Sequence, residues 1–263
     1  MRLDTYLAET QKARSRTHAA SLIKEGLVTV NGKLATKPAM DVTETDAVIV
    51  TPPEISFVSR GGLKLHGILE ALHLDVAGLY CADIGASTGG FTDCLLKRGA
   101  AQVVAVDAGS GQLAEALRQD DRVINIENCN ARYMTPETVG GEKDLVVADV
   151  SFISQTLLIP AVAGILRPEG RYICLVKPQF ECGREALNKN GIVRDRKFHL
   201  AALRKVCAGL REAGLVPTAV LPSSIQGGDG NTEFLFLSVR TTKNGLMSVT
   251  DRDLMEVANG KNA

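Results

Sequence analysis

Apolar positions along this chain follow two regimes. In the first fifty residues they are sparse and periodic. Leu3, Tyr6 and Leu7 have helical spacing, and Ser15 can cap a second helix with Ala19, Leu22 and Ile23 on one face and Gly26 as its stop. Val28-Thr29-Val30, Asn31-Gly32 and Lys33-Leu34 predict a strand, a type I′ turn and a returning strand, and Ala47–Val50 predicts a closing strand. From residue 60 onward, solid apolar runs alternate with amphipathic stretches. The runs are Leu79–Ala82, Val103–Val106, Val123–Ile126, Leu145–Ala148, Tyr172–Val176, Val216–Leu221 and Thr232–Val239. The amphipathic stretches are Leu63–Leu72, Cys94–Leu96, Leu157–Ile165 and His199–Leu215. Continuous apolar strands between amphipathic helices predict an α/β, doubly wound, mostly parallel Rossmann-like sheet.

The expected organisation is a small α+β domain over 1–50, a linker over 51–59 stiffened by Pro52 and Pro53, and the sheet domain over 60–240. Residues 241–263 are polar and are expected to form a weakly held tail.

In such sheets ligands gather at the C-terminal ends of the strands. Asp83, Asp107, Asn128 with Asn130, Asp149 and Lys177 all fall there. The first run ends in Asp83-Ile84-Gly85 and continues Ala86-Ser87-Thr88-Gly89-Gly90-Phe91 before a helix begins, which suits a ligand held close to the backbone. The turn lacks the G-x-G-x-x-G pattern of pyrophosphate binders, and Asp83 before it adds negative charge. Asp107, about 20 residues further on, is placed to accept from ribose hydroxyls, as NAD enzymes also require. Together these features favour S-adenosylmethionine over NAD, with Asp83, Gly85, Ser87, Thr88, Gly89, Gly90, Phe91, Asp107, Asn128, Asn130 and Asp149 as its binding residues. No G-x-x-x-x-G-K-[ST] occurs.

Composition narrows the remaining classes. Lys+Arg and Asp+Glu both number 30, so net charge names no partner. Trp is absent and aromatics make up 4%, which disfavours a stacking platform of many exposed rings. The six cysteines form no C-x-x-C pair and read as buried thiols of a reducing compartment. The four histidines lack metal-ligand spacing, so no metal is expected. There is no export signal and no run of about 20 apolar residues, so the expected location is cytoplasmic and off the membrane.

The exception to balanced charge is the N-terminal region. Lys12, Arg14, Arg16, Lys24, Lys33 and Lys37 face one acid, Glu25, over 12–37, and with Arg2 and His18 they are the candidate RNA-phosphate contacts. RLDTYL, SRTHAASLIKEGLVTVNGK and KPAMDV also resemble the S-four-type RNA-binding domain of ribosomal proteins and pseudouridine synthases.

The acceptor chemistry rests on four more residues. Asp149 heads DVSF, Lys177 opens KPQFE, Glu233 opens the last strand in NTEFLF, and Lys64 lies in a helix start where a lysine is electrostatically misplaced. The prolines of the [DN]-P-P-[FY] signature of base N-methylation are missing. SRGGLKL, DIGASTGGFTDCLL, DVSFIS, LVKPQFE, GIVRD and GNTEF resemble the TlyA family of rRNA 2′-O-methyltransferases, whose catalytic domain is of the FtsJ/RrmJ type. The resemblance covers about 1–240 and implies a Lys–Asp–Lys–Glu tetrad at Lys64, Asp149, Lys177 and Glu233. It further implies ribosomal RNA as partner and cytidines of 16S rRNA, 23S rRNA or both as targets. On this reading Lys177 is the base, Asp149 and Glu233 orient it, and Lys64 tunes it and holds the acceptor. Two rival readings are an RNA-binding module with a non-catalytic sheet domain and a haemolysin, a label some relatives carry.

Overall fold

The computed structural model describes residues 1–24, 26–51, 55–227, 230–243 and 245–260. The chain divides into two compact units, Met1–Ser56 and Phe57–Ala263. Pro52, Pro53 and Glu54 of the expected linker, and Glu25 of the charge count, lie outside the described residues.

The first unit holds α1 (Leu3–Glu9), α2 (Arg16–Lys24), β1 (Val28–Val30), β2 (Lys33–Leu34) and β3 (Val48–Val50), with sheet order β2-β1-β3. The Ser15 hydroxyl accepts the His18 N–H at 3.2 Å and caps α2. Asn31 and Gly32 both have positive φ, +52° and +76°, as a type I′ turn demands. Leu3, Leu7, Ala19, Ile23, Val28 and Val48 close a core small enough that most polar side chains stay exposed.

The second unit runs α3 (Gly61–Ala71), β4 (Tyr80–Ile84), α4 (Gly90–Lys97), β5 (Gln102–Val106), α5 (Glu115–Arg118), β6 (Val123–Ile126), β7 (Lys143–Ala148) and α6 (Ile159–Ile165). It continues with β8 (Leu166–Val176), α7 (Pro178–Glu181), α8 (Arg196–Glu212), β9 (Leu215–Pro222), β10 (Phe234–Arg240) and α9 (Asp251–Ala258). The sheet order is β6-β5-β4-β7-β8-β10-β9. The pairings from β6 to β8 are parallel, while β10 is antiparallel to both neighbours. The central strands are buried on both faces because successive side chains feed opposite cores, while the edge strand β6 leaves Ile124 and Asn125 exposed. Cys81, Leu145 and Ile173 pack with Leu65 of α3 and Leu95 of α4. Ala82, Val146 and Cys174 pack with Val162 of α6 and Leu203 of α8.

Several boundaries differ from the sequence expectation; β8 begins at Leu166 rather than Tyr172 and α6 at Ile159 rather than Leu157. Helix α8 ends at Glu212 rather than 215, because Gly214 takes φ +76° and releases Leu215 into β9. Glu233 precedes β10 instead of opening it. The expected tail carries α9, whose Thr250 and Asp253 form a capping box and whose Leu254, Val257 and Ala258 are buried. Three apolar residues at helical spacing dock this otherwise polar helix, and Arg204 forks onto Asp251 at 2.6 and 2.7 Å.

Candidate active site

Strand register decides which chemistry meets. Ile84 pairs with Ala148 across β4 and β7, so the turn after β4 lies beside Asp149, and the Asp149 N–H donates to the Ile84 carbonyl. A Cβ on Gly85 would come within 2.9 Å of the Asp149 carbonyl oxygen, and φ there is +77°. Only glycine fits at both counts. Phe234 pairs with Val176 across β10 and β8, which sets Glu233 and Lys177 just beyond neighbouring strand ends.

Lys64, Asp149, Lys177 and Glu233 therefore converge. Lys177 Nζ lies 2.7 Å from Asp149 Oδ1 and donates to the Ser151 hydroxyl at 2.9 Å. Lys64 Nζ lies 2.6 Å from Glu233 Oε2 and 3.7 Å from Asp149 Oδ2. Asp149 thus bridges the two ammonium groups, and two cations balance two carboxylates. Glu233 pairs with Lys64, not with Lys177, which departs from the expected orienting role. Lys64 reaches it from α3 while the Lys177 amine is already held by Asp149 and Ser151. Lys64 and Glu233 are 8% and 3% exposed, so Glu233 depends on Lys64 for its cation, while Lys64 also has Asp149.

The cleft in front of these groups has a volume of about 270 Å³. Lys64, Asp83, Gly85, Ser87, Thr88, Gly90, Phe91, Asp149 and Lys177 line it. Asp83 is fully buried; its Oδ2 accepts from the Thr92 N–H at 2.9 Å and hydroxyl at 2.6 Å, while Oδ1 has no partner. Burial pushes its pKa up to about 7, against the opposing pull of the Thr92 bonds and with the help of the Asp149 and Asp107 charges.

Asp107, Asn128 and Asn130 are not among the cleft's lining residues. Asp107 Oδ2 accepts the Ser87 N–H at 2.8 Å and Oδ1 the Gly109 N–H at 2.7 Å, tying the glycine turn to the end of β5. Asn128 sits at φ +55°, and the Asn130 side chain accepts the Arg132 N–H at 3.1 Å. Gly89, at φ +94°, faces Leu117 and Leu113 instead of the cleft.

Sequence reasoning missed several groups. Ser59, Arg60, Ser151 and Gln226 line the cleft, and Arg60 donates to the Gln226 carbonyl at 3.1 Å. Ser151 lies two residues from Asp149 and could have been read from DVSF. Glu181, the last residue of KPQFE, accepts the Ser154 hydroxyl and the Gln155 N–H and pins the segment after Asp149. Phe152 is 91% exposed at φ +65°, with its ring centroid 5.1 Å from that of Phe180. An aromatic residue in that backbone region costs about 1–3 kcal/mol and marks a held conformation.

In the first unit the basic residues divide. Arg2 and Arg16 both reach Asp4, and Lys12 donates to the Val48 carbonyl at 2.5 Å. His18 Nδ1 accepts the Arg14 N–H at 3.1 Å. Arg14, Lys24, Lys33 and Lys37 are exposed. Among the described residues no cluster of His, Cys, Asp or Glu is placed to hold a metal, and no helix is long and apolar enough to cross a membrane. The six thiols are free, and burial pushes Cys81 and Cys94 up to about 12.

Comparison with known proteins shows the family of the chain. The FtsJ-like methyltransferase family matches residues 57–240, and the S4 domain family matches residues 1–48. The 16S/23S rRNA (cytidine-2′-O)-methyltransferase TlyA of Mycobacterium tuberculosis is 46% identical over 94% of this chain and 92% of its own length. This chain belongs to the TlyA family. Hemolysin A of Brachyspira hyodysenteriae is 39% identical over 89% of this chain and 98% of its own length. A solved Streptococcus thermophilus structure that carries a provisional hemolysin name has TM-score 0.77 and 39% identity, covering 99% of this chain and 94% of that one.

The TlyA-family cleft fits the cofactor of such methyltransferases. The unpartnered Asp83 oxygen is a buried acceptor belonging to a residue of the cleft lining, which suits a cationic ligand, and Gly85 lets the turn lie against the Asp149 backbone beside it. A sulfonium with an amino group matches that polarity; a pyrophosphate does not.

Proposed function

We propose that this protein methylates a ribose 2′-hydroxyl of ribosomal RNA, using S-adenosylmethionine, with a cytidine of 16S or 23S rRNA as target. The observation that carries this reading is the Lys64–Asp149–Lys177 cluster, closed by Glu233, opening on the same cleft as the glycine turn. A relative at 46% identity is named for that reaction. An rRNA substrate supports a cytoplasmic location.

Bound S-adenosylmethionine supplies an electrophilic methyl on its sulfonium. Asp83 and the Gly85–Phe91 turn would hold its charged end, and Asp107, Asn128 and Asn130 its nucleoside. A 2′-hydroxyl must lose its proton as it attacks; Lys177 receives it in the neutral amine form, its own proton having first passed to solvent. Asp149 and Ser151 fix that amine. Lys64, held by Glu233, binds the acceptor oxygen or its flanking phosphate. Positioning contributes most of the rate, since a single displacement needs no covalent intermediate. Phe152 beside Ser151 presents an aromatic face that suits stacking on an unpaired base. The basic first unit docks RNA through phosphates, and the 2′-hydroxyl target selects RNA over DNA.

The test is transfer of a tritiated methyl group to rRNA lacking this modification, followed by mapping of ribose methylation. Wild-type protein is expected to label a 2′-oxygen. Lys177→Ala should lose about 10²–10⁴-fold in rate, the range of a general base, with cofactor affinity kept. Near-normal turnover, or lost cofactor binding by calorimetry, would remove Lys177 from the role. No transfer by the wild type would favour a non-catalytic RNA-binding module.

A further inference from the structure

An acid stands inside the cationic surface of the first unit, and it is buried. Asp4, in the first turn of α1, is 5% exposed. Arg2 donates to it twice, Nε to Oδ1 at 3.0 Å and Nη2 to Oδ2 at 2.8 Å. Arg16 donates from Nη2 to the same Oδ2 at 3.4 Å. One residue precedes α1 and the other opens α2, so a single carboxylate gathers guanidinium groups from two parts of the chain. Both stay open to solvent, their side chains being 49% and 60% exposed. A guanidinium has five N–H donors; Arg2 spends two on Asp4 and Arg16 spends one. Asp41 adds a second, more distant negative charge beside Arg2, so what the pair offers a phosphate is its outward N–H donors. The bonds from Arg2, against the opposing effect of burial and with help from Arg16, hold the Asp4 carboxyl far below the usual carboxylate range.

We propose that Asp4 is a positioning residue for RNA binding, holding the Arg2 and Arg16 guanidiniums side by side as a fork for backbone phosphate. The inference rests on the reading that this unit docks RNA. A free arginine loses much rotamer freedom when it grips a phosphate. Here folding has already removed that freedom, while the outward N–H groups remain to donate. Guanidinium is suited to the task because its planar donors match phosphate oxygens in pairs. Lys12 is held differently, by a backbone carbonyl and over the Tyr6 ring, and takes no part in this fork.

The experiment is titration of an in vitro transcribed 16S rRNA with the full chain at two salt concentrations. Asp4→Asn makes the surface more positive, so charge alone predicts tighter binding. Positioning predicts binding roughly tenfold weaker, with a salt slope shallower by about one, as expected for one lost phosphate contact. Cofactor affinity, measured in parallel, should not change. In an Arg2→Gln/Arg16→Gln background, Asp4→Asn should add nothing further. If Asp4→Asn melts the helices of the unit by circular dichroism, Arg2→Lys decides. It keeps the charge but cannot make the two-bond fork, and several-fold weaker binding is expected; undiminished binding overturns the proposal. A folded Asp4→Asn protein that binds as well as or better than wild type also overturns it. If the Arg2→Gln/Arg16→Gln protein binds RNA normally, the docking reading fails instead.

Discussion

The two units handle charge in opposite ways. In the second unit the candidate catalytic charges are buried or half-buried and spent on one another: Lys64 on Glu233, Lys177 on Asp149, with Asp149 between the two lysines. In the first unit they are exposed, and one buried acid steers two of them. Chemistry on one hydroxyl needs donors fixed to a fraction of an ångström, and burial among packed strand ends provides that. Gripping a polyanion needs many cations within reach of solvent-facing phosphates, where long-range attraction tolerates looser placement. A lysine with two partners in a cleft and a lysine on a surface are therefore different devices.

The largest break of this contrast is Lys64→Ala. It should reduce methyl transfer by orders of magnitude and also leave Glu233 buried without its cation, a change worth about 3–5 kcal/mol in stability. Adding Glu233→Gln should return most of the stability, read by thermal or denaturant melting, but not the activity. Recovery of both would mean the pair serves folding alone.

Next is the surface. Arg14→Glu with Arg16→Glu should weaken rRNA binding roughly 10–100-fold at matched salt and flatten its salt dependence, while calorimetry shows unchanged cofactor affinity. Unaltered RNA affinity would end the claim that this unit grips phosphate.

The smallest effect lies in the pH response of Asp83. Its folded pKa, about 7, is above the unfolded carboxylate value, so the folded state holds the extra proton between the two. Stability without cofactor is accordingly highest below pH 4 as far as this group is concerned, and falls as pH rises through about 7. Cofactor affinity runs the other way, since a cationic ligand needs the carboxylate. It should weaken by up to about tenfold per unit below pH 7. Asp83→Asn should bind weakly with a flat profile; a flat profile in the wild type would show that this oxygen does not meet the ligand's charge.

Much of this was legible in residue order. Solid apolar runs between amphipathic stretches specify a sheet covered on both faces, and the polar residues ending those runs specify where a site forms. The type I′ turn at Asn31-Gly32 and the Ser15 cap are local chemistry and needed no tertiary knowledge. What failed was non-local. The helix at Asp251–Ala258 carries too few apolar residues to announce itself, and it exists because a groove on the sheet domain buries Leu254 and Val257.

The sequence by itself determined the fold class and placed a glycine turn and polar residues at the strand ends, because periodicity and strand-end position follow from local order; resemblance to a family, not periodicity, singled out Lys64, Asp149, Lys177 and Glu233 as a candidate set. Only the tertiary structure decided which group holds which. It gave Glu233 to Lys64 and Ser151 to Lys177, and it drew Arg2 and Arg16 onto Asp4. Pairings between residues far apart in the chain depend on strand register and on the direction from which each side chain arrives, and neither is written in the order of the residues.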